Sequence, residues 1–124
     1  QAMLDVLDSK LAEFGWAMVE TSTRIPPKKP TFDLVVCSSV CSFLDDYPGT
    51  VKELVSRLGH GGQFVQWDWE RTGDDPHGLA RAEVEAALVG AELVDVEVAT
   101  AFEVTIEAQA MAPLIGHGRR PFET

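Results

Sequence analysis

Basic residues are scarce in this chain. Ten lysines and arginines stand against 20 aspartates and glutamates, a formal net charge of −10. Binding to a phosphate backbone needs a basic face, so nucleic acid is excluded as a partner, and an anionic membrane surface with it. No apolar run reaches the ~18–20 residues of a membrane-crossing helix, and no secretory leader is recognisable. The expectation is an acidic cytoplasmic protein. Cysteine is rare too. Cys37 and Cys41 make no disulfide framework, and the reading takes them as small buried residues. His60, His77 and His117 fall at no metal-ligand spacing, so no metal site is expected. No Gly-x-Gly both follows a strand and opens a helix. The nearest case, Gly116-His117-Gly118, reads as a strand end running into a solvated tail over 116–124.

What is present is an ordinary core composition, 45% hydrophobic in 124 residues, enough for one domain. Met3, Leu4, Leu7, Leu11 and Phe14 form one apolar stripe, predicting a helix over 2–14 closed by Gly15. Trp16 to Thr21 reads as a short strand. Residues 22–31 hold Pro26, Pro27 and Pro30 beside two lysines and read as a loop. Phe32 to Cys37 is almost continuously apolar, the pattern of a strand covered on both faces in a parallel sheet. Asp45 and Asp46 are candidate N-caps ahead of Val51, Leu54, Val55 and Leu58, a helix ended by Gly59. Gly61-Gly62 turns into a strand over Gln63 to Trp69. A polar loop over 70–78, a helix over Ala80 to Val89, a strand over Leu93 to Val98 and a partner within Ala101 to Ile115 follow. The alternation predicts a three-layer α/β fold with a mostly parallel sheet and an antiparallel C-terminal edge pair.

Ligands of parallel sheets sit at the carboxyl ends of the strands. That singles out Cys37, Ser38 and Ser39 after one strand, with Phe43 just beyond, and Trp67, Asp68, Trp69 and Glu70 after the next. Alternation sends the two tryptophans to one face and the two carboxylates to the other. His77 lies in the polar loop that follows and could serve as a base near neutral pH. Core tryptophans, capping carboxylates and a surface histidine are the structural alternatives.

Taken in order, Phe32-Asp33-Leu34-Val35-Val36, Asp45-Asp46, Leu58-Gly59-His60-Gly61-Gly62 and Phe64-Val65-Gln66-Trp67-Asp68 resemble class I S-adenosylmethionine-dependent methyltransferases of the small-molecule type. His60 stands where that family usually has proline. The resemblance implies an incomplete Rossmann-like domain: the later two-thirds of the family's sheet, whose order is 3-2-1-4-5-7-6. It implies S-adenosylmethionine as cofactor and a small-molecule acceptor. Cys37, Ser38 and Ser39 would line the cofactor, with Thr21 and Ser22 near the adenine. Phe43, Trp67 and Trp69 would meet the acceptor, and Asp68, Glu70 or His77 would be candidate bases. The family's Gly-rich cofactor loop and its ribose-binding acid find no match, which leads the reading to expect sequence ahead of Gln1. Glu20, Thr21 and Ser22 also replace the Gly-Asp-Ala often found there. With the family's first two strands missing, Phe32 to Cys37 would be left roughly 14 Å from the preceding strand, three strand spacings away. Its edge then needs cover, from an N-terminal segment, from a second copy in a homodimer, or from the strand at Trp16. The alternative is a non-catalytic module for dimerisation or partner binding.

Overall fold

A computed structural model describes residues 2–15, 19–27, 31–71 and 78–122. The elements are α1 (Ala2–Phe14), β1 (Phe32–Ser38), a 3-10 turn (Cys41–Phe43), α2 (Tyr47–Val55), β2 (Leu58–Trp69), α3 (Arg81–Gly90), β3 (Val94–Thr100), β4 (Val104–Ile106), β5 (Gln109–Met111) and β6 (Pro113–Arg119). Four strands form one sheet in the order β1-β2-β6-β3, and β4 and β5 form a separate two-stranded hairpin. β1 and β2 are parallel, whereas β6 is antiparallel to both β2 and β3. Three of the four strands therefore point the same way, with one reversed strand inserted next to the β3 edge. This is a mixed α/β fold whose strand order and directions match the 4-5-7-6 end of the sheet that the family resemblance implies.

Cross-strand rows show how the sheet divides its residues. Cys37, Gln66, Gly116 and Val98 lie side by side, as do Val35, Phe64 and Gly118 in the next row. This is the face that α2 and α3 cover. Phe64, Leu58, Val51, Val84 and Leu88 are fully buried there in one cluster with Tyr47, Cys41 and Leu114. Burial of a side chain the size of Phe64 is worth about 2–3 kcal/mol. The opposite face carries the rows Val36, Val65, His117, Glu97 and Ser38, Trp67, Ile115, Ala99. Leu34 and Val36 remain 53% and 58% exposed there. Among the described residues the fold has two layers, not the three that the apolar run at Phe32 predicted. The run marks a face suited to burial, but no described element lies over it.

Local signals explain most element ends. Asp46 caps α2, its Oδ1 accepting from Gly49 N–H at 3.2 Å, and Pro48 sits in the first turn where no donor is missed. Glu83 accepts from the Ala80 N–H at 3.1 Å and closes the start of α3. Helix α1 forms as its stripe predicts, yet it buries none of its residues. The strand predicted over Trp16 to Thr21 falls partly on 16–18, outside the described residues, and 19–21 are not in a strand.

Two boundaries differ from the sequence reading. β2 begins at Leu58 instead of Gln63, because Leu58 already pairs with Phe32 before an irregular step in register. The predicted tail over 116–124 is overturned for most of its length. Gly116 to Arg119 lie inside β6, between β2 and β3, and Arg120 still exchanges backbone hydrogen bonds with Gly61 and Gly62 at 2.9 and 2.8 Å. The glycines explain the error. A Cβ on Gly116 would meet Val84 Cγ1 at 2.6 Å, and one on Gly118 would meet Leu93 Cβ at 2.9 Å. They are the places where α3 and the chain after it press against the strand. A sequence rich in glycine and arginine reads as a loop unless that close approach is known. The segment predicted as one strand over Ala101 to Ile115 is likewise divided into the β4–β5 hairpin and the start of β6.

Candidate functional site

The carboxyl ends of β1 and β2 lie side by side, since Ser38 pairs with Trp67. After β1 the chain turns sharply. Ser39 adopts φ of 58°, a left-handed conformation uncommon for serine, and its N–H donates to the Trp67 carbonyl at 2.7 Å. Backbone held in such a region persists only when its surroundings fix it, and such residues cluster at functional sites. Ser38 and Ser39 are both exposed. The turn then carries Phe43, 75% exposed at the same end of the sheet.

At the end of β2, Trp67 and Trp69 are half-buried on the open face with ring centroids 5.2 Å apart and planes at 68°. This edge-to-face pair leaves an aromatic surface beside Ser38. Glu70 closes the strand, fixed through its backbone: its N–H donates to Ala112 at 2.8 Å, and it bridges to Leu79. Arg71 follows, paired with Glu83 at 2.7 Å, which ties the chain leaving β2 to α3. The β4–β5 hairpin rises from the same end, because β3 and β6 meet there through Ala101 N–H and the Pro113 carbonyl at 3.0 Å. Ser38, Ser39, Phe43, Trp67, Trp69 and Glu70 thus gather at one end of the sheet.

Asp68 does not join them. It points to the covered face and is 1% exposed. Neither of its oxygens meets full hydrogen-bond geometry. Burial pushes its pKa up, and the Cys41 and Ser42 groups facing it offset this only in part. On the same face Tyr47 donates to Gln66 Oε1 at 2.6 Å, while Gln66 Nε2 has no partner. Burial also raises the Tyr47 pKa. The sequence reading missed this polar layer under the turn; only the period-two burial of β2 could have signalled it.

Cys37 and Cys41 are both buried and free, as expected. Thr21 donates to Asp8 of α1 at 2.6 Å, and Ser22 accepts from the Arg24 N–H at 3.0 Å, so these hydroxyls are engaged with α1 and within their own loop. His77 lies outside the described residues. Among the described residues no group of three or more acidic, histidine or cysteine side chains could hold a metal, and no helix is long and apolar enough to cross a membrane.

No family model matches the sequence, and no curated protein matches it at a significant level. Solved structures do resemble the fold. EvdMO1 aligns over 94% of this chain at a TM-score of 0.62 and 22% identity. A SAM-dependent methyltransferase from Aquifex aeolicus aligns over 90% at 0.58 and 18%. The O-methyltransferase NcsB1 from neocarzinostatin biosynthesis, solved with S-adenosyl-L-homocysteine and 1,4-dihydroxy-2-naphthoic acid, aligns over 89% at 0.54 and 16%. The chain spans 29%, 60% and 38% of those three chains. It has the fold of part of a class I methyltransferase domain.

Proposed function

We propose that this chain supplies the acceptor-side part of the cleft in a cytoplasmic S-adenosylmethionine-dependent methyltransferase acting on a small molecule, and that it is inactive alone. The observation that carries the reading is the strand arrangement. Two parallel strands end in an exposed, left-handed serine turn and an aromatic pair, beside a reversed strand, in a fold shared with methyltransferases. Exposed hydroxyls at the end of a parallel strand fit the edge of a polar cofactor. Ser38 and Ser39 would hold that edge, with Cys37 beneath them and Thr21 and Ser22 toward the adenine. Phe43, Trp67 and Trp69 would form the apolar wall for the acceptor.

S-adenosylmethionine, when bound, supplies a methyl group on a sulfonium that leaves as a neutral thioether. What the chain's own residues contribute is position and dryness: the tryptophan pair excludes water and orients the acceptor. An acceptor hydroxyl that must lose its proton needs a base, and Glu70, half-buried at the very end of the strand, suits this better than Asp68, which is 1% exposed beneath the helices. His77 is the further candidate.

Calorimetric titration of S-adenosylhomocysteine into this chain tests the incompetence, with no micromolar binding expected. Micromolar binding would refute it. Reading the coding sequence upstream tests the enzyme itself, with a Gly-rich loop expected roughly 30–50 residues ahead of Gln1.

The open face of β1 favours a second reading, a non-catalytic methyltransferase-like module in which that face is covered by a second copy. A start codon near Gln1 and a stable homodimer in sedimentation would support it over the enzyme. In the enzyme, an N-terminal segment covers the same face.

A further inference from the structure

The β4–β5 hairpin has no part in the cleft described above, yet it stands at the end of the sheet where the tryptophan pair lies. Its root is fastened twice: Ala101 N–H donates to the Pro113 carbonyl at 3.0 Å, and Glu70 N–H donates to the Ala112 carbonyl at 2.8 Å. Beyond the root the ladder stops. Among the described residues, none makes a backbone hydrogen bond to Phe102 or Glu103, and β4 and β5 form a sheet of their own. Each of these strands is three residues long, and an isolated ribbon of two strands is marginal in water. The turn adds nothing to its stability. Glu107 and Ala108 sit at φ of 51° and 66°, the left-handed region that suits glycine or asparagine. Such a hairpin persists by packing against something, and burial shows which side packs. Val104 and Met111 form one cross-strand pair and are half-buried, while Thr105 and Ala110 form the next pair, on the other face, and are exposed. Pro113, the cross-strand neighbour of Trp69 on the open face, is fully buried. What stands around it is Trp69 and the two legs of the hairpin.

We propose that Val104 and Met111 determine acceptor specificity: the hairpin is a flap whose apolar face closes over a flat, uncharged aromatic acceptor lying on Trp67 and Trp69. The proposal rests on the reading of that tryptophan pair as the acceptor's wall. Phe102 and Glu103 are the hinge on one leg. On the other leg the hydrogen bond from Glu70 holds Ala112, so movement begins at Met111. The chemistry of the two walls agrees. Tryptophan offers a broad ring face, and a thioether packs well against an aromatic ring. Val104, Met111, Trp67 and Trp69 present no charge, so an ionised acceptor held between them would lose its hydration without gaining a partner. Closure over the ligand also removes water from the reacting end of the sheet.

The test is equilibrium dialysis of 2-naphthol against the folded chain, with hydrogen exchange read by mass spectrometry. Wild type is expected to bind the probe, and the backbone amides of 104–111 to exchange roughly fivefold more slowly when it is bound. Val104→Ser and Met111→Ser together are expected to weaken binding about tenfold, as is Trp67→Ala. Thr105→Ala and Ala110→Ser together, on the outer face, are expected to stay within about twofold of wild type. Circular dichroism checks that each variant is folded. If Trp67→Ala loses the probe while the Val104 and Met111 variant keeps it and the hairpin gains no protection, the flap is overturned and the tryptophan wall stands. Equal losses from both faces of the hairpin also overturn the flap, because they show a structural role alone. If Trp67→Ala binds as wild type does, or wild type takes up no probe, the wall itself is overturned and the flap with it.

Discussion

The two faces of the sheet share the same strands but not the same fate. Along β2, Gly62, Phe64, Gln66 and Asp68 are buried under α2 and α3, while Val65, Trp67 and Trp69 on alternate positions stay half-exposed. β1 shows the contrast more sharply: Cys37 is buried, and Leu34 and Val36 are more than half exposed. The covered face supplies the cohesion of the domain. The open face, with the strand ends above it, carries the aromatic surface and the exposed β1 edge from which a function can be read. An apolar sequence therefore does two jobs here, and only the helices decide which side is core.

Breaking the covered face costs most. Phe64→Ala removes a fully buried ring between the two helices and is expected to cost about 3–5 kcal/mol, read from urea unfolding. Gly116→Ala forces a methyl against Val84 and is expected to cost about 1–3 kcal/mol, showing as a lowered thermal midpoint. A neutral result there would mean that α3 is free to move off β6. Tyr47→Phe strands the Gln66 carbonyl oxygen in the interior beside its unpartnered amide, and about 1–2 kcal/mol should be lost in the same measurement.

Asp68 adds a pH signature to that face. Its native pKa is raised, so the folded chain holds this proton more tightly than the unfolded one. Its contribution to stability is greatest below the ordinary carboxyl value of 3.8 and is lost as pH rises through the raised native value. Asp68→Asn should therefore gain stability relative to wild type across that window, in denaturant midpoints taken at a series of pH values. The smallest effect belongs to the open face. Val36→Thr is expected to change unfolding free energy by no more than about 0.5 kcal/mol while reducing any self-association seen by sedimentation. A large loss of stability would show that this face is already covered.

The position of most candidate residues in the sheet was legible in advance. A parallel sheet places ligands at its strand ends, so Ser38, Ser39, Trp67, Trp69 and Glu70 follow from strand order alone, and all five lie at one end of the sheet, with Glu70 alternating to the face opposite the tryptophans. Phe43 follows from its place in the turn after β1. The division of Asp68 from the tryptophans was legible too, as period-two geometry. Its burial was not, because the sequence does not say which face α2 and α3 will take. Thr21 and Ser22 were placed through a family pattern, and their engagement with Asp8 and Arg24 is a local hydrogen-bonding outcome that no spacing rule encodes.

The sequence by itself determined the elements that rest on local chemistry. The Asp46 cap, the proline-rich break after α1, the period of α3 and the apolar run of β1 each carry their own cause within a few residues. Tertiary structure alone decided the place of Gly116 to Arg119. Glycine and arginine carry no strand signal, and what makes that segment a central strand is the close approach of Val84 and Leu93, which lie far from it in sequence. It also decided the left-handed turn at Ser39, because the Trp67 carbonyl of the neighbouring strand holds it.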